Sequence, residues 1–222
     1  MPRLRVHALS MSLDGFTAGP DQDADDPLGV GGGLLHEWIF LTRSGMKMIG
    51  ETGGSRGRDN ELVEAGFDGI GATIMGRNMF GPIRGPWDQS DWHGWWGDNP
   101  PFHHPVFVMT HHSRESFSMD GETTFHFVTG GPEEALARAT EAAGDADIRL
   151  GGGASAIQQF LERGLVDHMH VAVVPVMLGG GERLFENGVG APGYQCSMEV
   201  GDAEVTHFFL DRQAGRLTPF GG

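Results

Sequence analysis

Leu4, Val6 and Ala8 alternate with Arg5 and His7, the period of a half-buried strand, so residues 3–12 are predicted as the first strand. Leu13-Asp14-Gly15 then turns the chain. Residues 19–33, GPDQDADDPLGVGGG, are acidic and rich in Gly and Pro and read as an exposed loop. Leu35, Trp38, Ile39, Leu41 and Met46 suit one helix over 34–48, and Asn60 can cap a short helix over 61–68. Segments 72–75, 105–110, 123–129, 147–150 and 165–175 are apolar or β-branched and read as strands, and 200–211 contains at least one more. Pro132, followed by Glu133 and Glu134, opens a helix that runs to about Ala143. A second helix follows Gly151-Gly152-Gly153 and stops at Gly164. Strands alternate with helices through the middle and dominate the end. The pattern gives an α/β domain with a mostly parallel sheet and antiparallel C-terminal strands. With no repeat and no dividing linker, residues 1–222 read as one domain.

Composition narrows the function. Against 30 Asp+Glu there are 15 Lys+Arg, a net charge of −15, which argues against nucleic-acid and anionic membrane partners. The lone Cys196 cannot form an internal disulfide, and the first residues lack the apolar run of a signal peptide. A cytoplasmic location is expected. The 37 Gly residues cluster at the ends of elements, as ligand-binding turns require.

The strongest local feature is DIRLGGGASAIQQFL. A strand ends in Gly151, Gly152 and Gly153, then Ala154 and Ser155 open a helix. Glycine lets a ligand approach the backbone, and the helix N-terminus offers free N–H groups, a cradle for pyrophosphate. Thr129-Gly130-Gly131-Pro132 and Ile74-Met75-Gly76-Arg77-Asn78 are further strand ends of the same kind. Ligands of open α/β sheets bind at the carboxyl ends of strands, so the turns together fit a dinucleotide. Each turn taken alone also reads as a tight strand–helix junction, and Arg77 alone as a surface ion pair.

Four segments, SLDGFTAG (12–19), IMGRNMFG (74–81), PVFVMT (105–110) and residues 149–186, resemble the dihydrofolate reductase-like superfamily. Within it they resemble the reductases related to the C-terminal domain of the riboflavin-biosynthesis deaminase-reductase. The resemblance implies a three-layer α/β/α fold around a mixed, mostly parallel sheet. It also implies NADPH as hydride donor and a homodimer, here placed through the C-terminal strands. It puts Gly76, Arg77 and Asn78 at the cofactor phosphates and Thr110 on the adenosine side. Gly130 belongs to the strand-end turns. Gly151, Gly152, Gly153, Ala154 and Ser155 match the glycine turn against pyrophosphate and nicotinamide. Met79 stands where folate-reducing members carry Thr. The paired Cys of a deaminase zinc site are missing, so a stand-alone reductase is implied, with no metal.

Residues 81–104 hold Trp87, Trp92, Trp95 and Trp96 among Gly, Pro, Asp and His, too long for an inert connection. Trp87, Trp95 and Trp96 are candidate walls for a flat ring, and a packed loop with its own small core is the other reading. Hydride transfer to C=N or C=O also needs a proton. The candidate donors are Asp14, after the first strand, and Glu37, in LLHEWIF where the superfamily carries an acid on its first helix. The eleven His show no metal spacing. The expectation is an NADPH-dependent reductase of a small heterocyclic or sugar-like substrate. A non-catalytic nucleotide-binding module and a flavin-binding protein are the alternatives.

Overall fold

A computed structural model describes residues 2–81, 85–87, 91–185 and 193–213. The first half contains β1 (Leu4–Ser12), β2 (Phe16–Ala18), α1 (Glu37–Phe40), α2 (Arg43–Met48), α3 (Arg58–Ala65), β3 (Ile70–Gly76) and α4 (Arg77–Phe80). Then come β4 (Pro105–Met109), β5 (Phe117–Ser118), β6 (Thr124–Val128), α5 (Pro132–Ala143), β7 (Asp147–Leu150) and α6 (Ala154–Glu162). The last elements are β8 (His168–Val174), β9 (Glu182–Arg183), β10 (Tyr194–Val200) and β11 (Thr206–Arg212).

Nine strands form one sheet in the order β10-β11-β8-β1-β7-β3-β4-β6-β5. The run from β8 to β6 is parallel, while β5, β10 and β11 are antiparallel to their neighbours. Ala139 of α5 and Ile157 and Phe160 of α6 pack with Leu4, Ile74 and Leu150 on one face. Trp38 of α1 and Val63 of α3 cover Ala172 and Val174 on the other. Beside them, under the tryptophan-rich segment, Phe80, Phe102 and Phe125 pack with Val106 and Val108. The three-layer α/β/α architecture is as expected.

Several local expectations are corrected. Residues 34–48 are not one helix but a 3-10 turn over Gly32–His36, then α1, then α2. Thr42 causes the break: its backbone is extended and its hydroxyl accepts the Gly45 N–H, which starts a new helix. Asn60 does not cap α3 but lies inside it, where its side-chain oxygen accepts the Ser44 N–H and ties α2 to α3. The alternation of Leu4, Val6 and Ala8 also fails at its last member. Val6 pairs with Met169 but Leu9 pairs with Val171, so β1 carries an extra residue there, with Ala8 at φ 51°. This bulge reverses the pattern: Leu9 and Met11 join the face of Leu4 and Val6, while the Ser10 hydroxyl accepts the Trp38 indole N–H on the other.

Candidate active site

The carboxyl ends of the parallel strands open into one crevice of about 770 Å³. From β1 to β6 is four strand steps, about 19 Å at the usual spacing of about 4.8 Å, the reach of a dinucleotide. Leu9 lines it from β1, Gly151–Ser155 from β7, Gly76–Met79 from β3, Thr110–His112 from β4, and Thr129 and Gly131 from β6. Beyond β1 the crevice continues between Thr17 and Ala18 of β2, His36, Phe40 of α1 and Glu182 of β9.

The glycine turn is tied to its neighbour by backbone bonds. The Gly76 N–H donates to the Gly152 carbonyl at 2.6 Å, and the Gly151 N–H to the Ile74 carbonyl at 2.8 Å. Gly152, at φ +134°, adopts a conformation open chiefly to glycine. Gly153 starts α6 with no side-chain cap, and a Cβ built on it would meet nothing within 4 Å. Backbone N–H groups and the positive end of the helix dipole are thus left facing the crevice, an anion cradle. Met79 packs beneath this turn, 3.2 Å from where a Cβ on Gly151 would stand.

Arg77 lines the crevice at the end of β3, its guanidinium 3.6 Å above the Trp87 ring and within 3.4 Å of the Thr110 hydroxyl, to which it donates. Trp87 is therefore not a wall of the crevice. Its ring packs edge-on to Phe80 and Phe127, its indole N–H donates to the His112 carbonyl, and it serves as a platform for Arg77. Trp95 and Trp96 do line the crevice. Gly130 lies outside the lining, packed against the Glu134 side chain, and Gly131 takes its place.

Neither expected acid stands in the crevice. The Asp14 carboxylate accepts the Ser12 hydroxyl at 2.6 Å and the Gly179 and Leu178 N–H groups at 2.7 and 3.1 Å. These bonds, the one from Ser12 foremost, hold its pKa down to about 2, so it is an ionised clamp on the turn rather than a proton donor. Glu37 is exposed on α1, while His36 and Phe40 line the crevice. His36 and Glu182 are the titratable side chains at the β1–β2 end among the described residues. Sequence reasoning missed both. The apolar setting of LLHEWIF marked the segment, but the broken helix turns residue 36 rather than 37 inward. Glu182 enters only because β9 pairs with β2 across a long sequence separation.

Residues 6–201 match the family described as RibD C-terminal domain. The chain belongs to that family. The sequence matches no curated protein. Among solved structures it resembles a Shewanella sp. PV-4 protein assigned to riboflavin biosynthesis, with 22% identity, TM-score 0.60, and coverage of 96% of this chain and 99% of that one. A pyrimidine reductase-like protein from Corynebacterium diphtheriae has 13% identity and TM-score 0.55, with coverage of 95% and 92%. Dihydrofolate reductase from Enterococcus faecalis, solved with NADP(H), has 13% identity and TM-score 0.50, with coverage of 95% and 96%. These likenesses place the RibD C-terminal domain of this chain in the dihydrofolate reductase-like fold. Among the described residues no helix is long and apolar enough to cross a membrane, and no cluster of His, Cys, Asp or Glu is arranged to hold a metal.

Proposed function

We propose that this protein is an NADPH-dependent reductase that delivers a hydride to a C=N or C=O bond of a small heterocyclic or sugar-like substrate. The observation that carries this reading is the crevice itself. It runs along five parallel strand ends, offers an uncapped helix N-terminus with an arginine beside it, and continues at the β1–β2 end between apolar and polar side chains. NADPH, when bound, supplies the hydride. The chain's glycine turn and Arg77 hold anionic groups, and Leu9 and Phe40 exclude water from the β1–β2 end. His36 faces the substrate as a hydrogen-bond acceptor, and the proton for the substrate heteroatom comes from solvent. Its Nδ1 lies 3.4 Å from the Gly32 carbonyl, leaving Nε2 for the crevice, and burial lowers its pKa below the ordinary 6.5. Calorimetric titration tests the cofactor: NADPH should bind more tightly than NADH or FMN, and a preference for FMN would overturn the reading.

Arg77→Ala should weaken NADPH binding by about ten- to a hundredfold, the worth of one charged hydrogen bond of about 1.5–3 kcal/mol. An unchanged affinity in the same titration would remove Arg77 from the site.

The protein is further proposed to act as a twofold homodimer through β10 and β11. Met198 and Val200 are each 70% exposed and lie directly opposite Phe208 and Thr206, on one face of the sheet edge. Phe209, by contrast, stacks on His170 inside the subunit, so Met198 is the position that probes the interface. Light scattering should give about twice 23.9 kDa for the natural protein and a single subunit for Met198→Asp. A monomeric natural protein would reject the dimer.

A further inference from the structure

Behind the crevice, between the sheet and α3, lies a buried chain of polar groups that the reductase reading does not use. Asp59 of α3, His207 of β11 and His170 of β8 are each at most 1% exposed. His207 Nε2 is 2.9 Å from Asp59 Oδ1, and His207 Nδ1 is 2.9 Å from His170 Nε2. Asp59 Oδ2 accepts the Ala203 N–H. At the other end, His170 Nδ1 lies 3.3 Å from the Ala8 N–H.

With both rings neutral, every role follows. Ala8 N–H donates to His170 Nδ1, His170 Nε2–H to His207 Nδ1, and His207 Nε2–H to Asp59. The chain of donors thus starts at the bulge in β1. Ala8 sits there at φ 51°, a left-handed conformation that a residue with a Cβ keeps only when its surroundings enforce it. The bulge also decides which face Leu9 takes, because removing one extra residue from a strand turns every later side chain over. Leu9 is the contribution of β1 to the crevice, beside the glycine turn at the end of β7.

We propose that His170, backed by His207 and Asp59, is a positioning residue that holds the β1 bulge and so keeps Leu9 in the crevice wall. The role in cofactor binding rests on the reductase reading above. The role in holding the bulge does not.

The test is a double-variant cycle of His170→Phe with Ala8→Gly in the full chain. Phenylalanine keeps the ring that stacks on Phe209 but cannot accept the Ala8 N–H. Glycine adopts a positive φ without help, so it should make the histidine dispensable. His170→Phe should weaken NADPH binding by about tenfold, Ala8→Gly should change it by less than about twofold, and the double variant should return to within about threefold of the natural protein. The Leu9 methyl resonances, read without cofactor, should shift in His170→Phe and return in the double variant. A purely structural histidine predicts no rescue of either readout, and that result would overturn the proposal. If the natural protein binds no NADPH, the reductase reading fails, and the Leu9 resonances still decide whether His170 holds the bulge. Should His170→Phe not fold, His170→Gln, whose side-chain carbonyl can accept the Ala8 N–H, replaces it. It should then match the natural protein in both readouts with Ala8 in place, and a displaced Leu9 would overturn the proposal.

Discussion

Ser155→Asp is expected to weaken NADPH binding by about a hundredfold while making the fold slightly more stable. Ser155 is exposed in the first turn of α6 and lines the crevice. That turn holds no acid and no side-chain cap, so a carboxylate there meets the positive end of the helix dipole and adds about 0.3–1 kcal/mol to stability. The same charge opposes a pyrophosphate on the cradle. Unit charges about 5 Å apart at an effective dielectric near 20 repel by about 3 kcal/mol, which corresponds to about a hundredfold in affinity. The opposite signs separate the two roles of the turn. Calorimetry and thermal unfolding of the one variant measure both. Unchanged affinity with unchanged or raised stability would show that no phosphate sits at the α6 N-terminus.

Acid should unfold this protein from well above the carboxylate range. Burial pushes the His7 pKa down to about 4, with Arg149, His168 and Arg5 adding to the effect and a bond to the Leu62 carbonyl opposing it. Burial, then the neighbouring His7 and His207, pushes His170 lower still. Above pH 6.5 these rings are neutral in both folded and unfolded chains and cost nothing. Below it the unfolded chain takes up protons that the folded one refuses, so stability falls as pH drops from 6.5 towards 4. Each ring contributes a slope of about 1 kcal/mol per pH unit, enough across that window to consume much of a typical domain's stability. A proton on His170 Nδ1 would also face the Ala8 N–H, donor against donor. Urea midpoints at pH 7.5, 6 and 5 should fall in that order. A midpoint constant over this range would show that the rings titrate normally in the folded protein.

The layered fold was legible because its signals are local. β3, β4, β6 and β7 are short apolar runs between turn residues, and α5 begins with Pro132 as a helix start should. The glycine turn was legible for the same reason, since glycine clusters mark close backbone approach wherever they fall. β10 was not, because it is a mostly exposed edge strand with no face to pattern. The bulge in β1 was hidden too: alternation through Ala8 reads as a regular strand, and only pairing with β8 shows the extra residue. At the site, strand ends were found and side-chain directions were not. Trp87 and Trp96 lie in one segment, yet one ring supports Arg77 and the other faces the crevice. Asp14 had the right place for chemistry but is spent on three hydrogen bonds to Ser12, Leu178 and Gly179.

The stacking of Arg77 on Trp87 gives the protein an optical reporter at the Arg77 side of the crevice. An indole emits according to the charge and water around it, and this one carries a guanidinium 3.6 Å above its ring. Any anion that draws Arg77 away alters that emission. Trp95 and Trp96 stand in the crevice itself, so a flat ring stacking there would quench them instead. Replacing Trp87 with Phe silences the first signal, and replacing the Trp95–Trp96 pair silences the second. An anion reaching Arg77 and a flat ring reaching Trp95 and Trp96 can then be followed separately in real time, with no label attached.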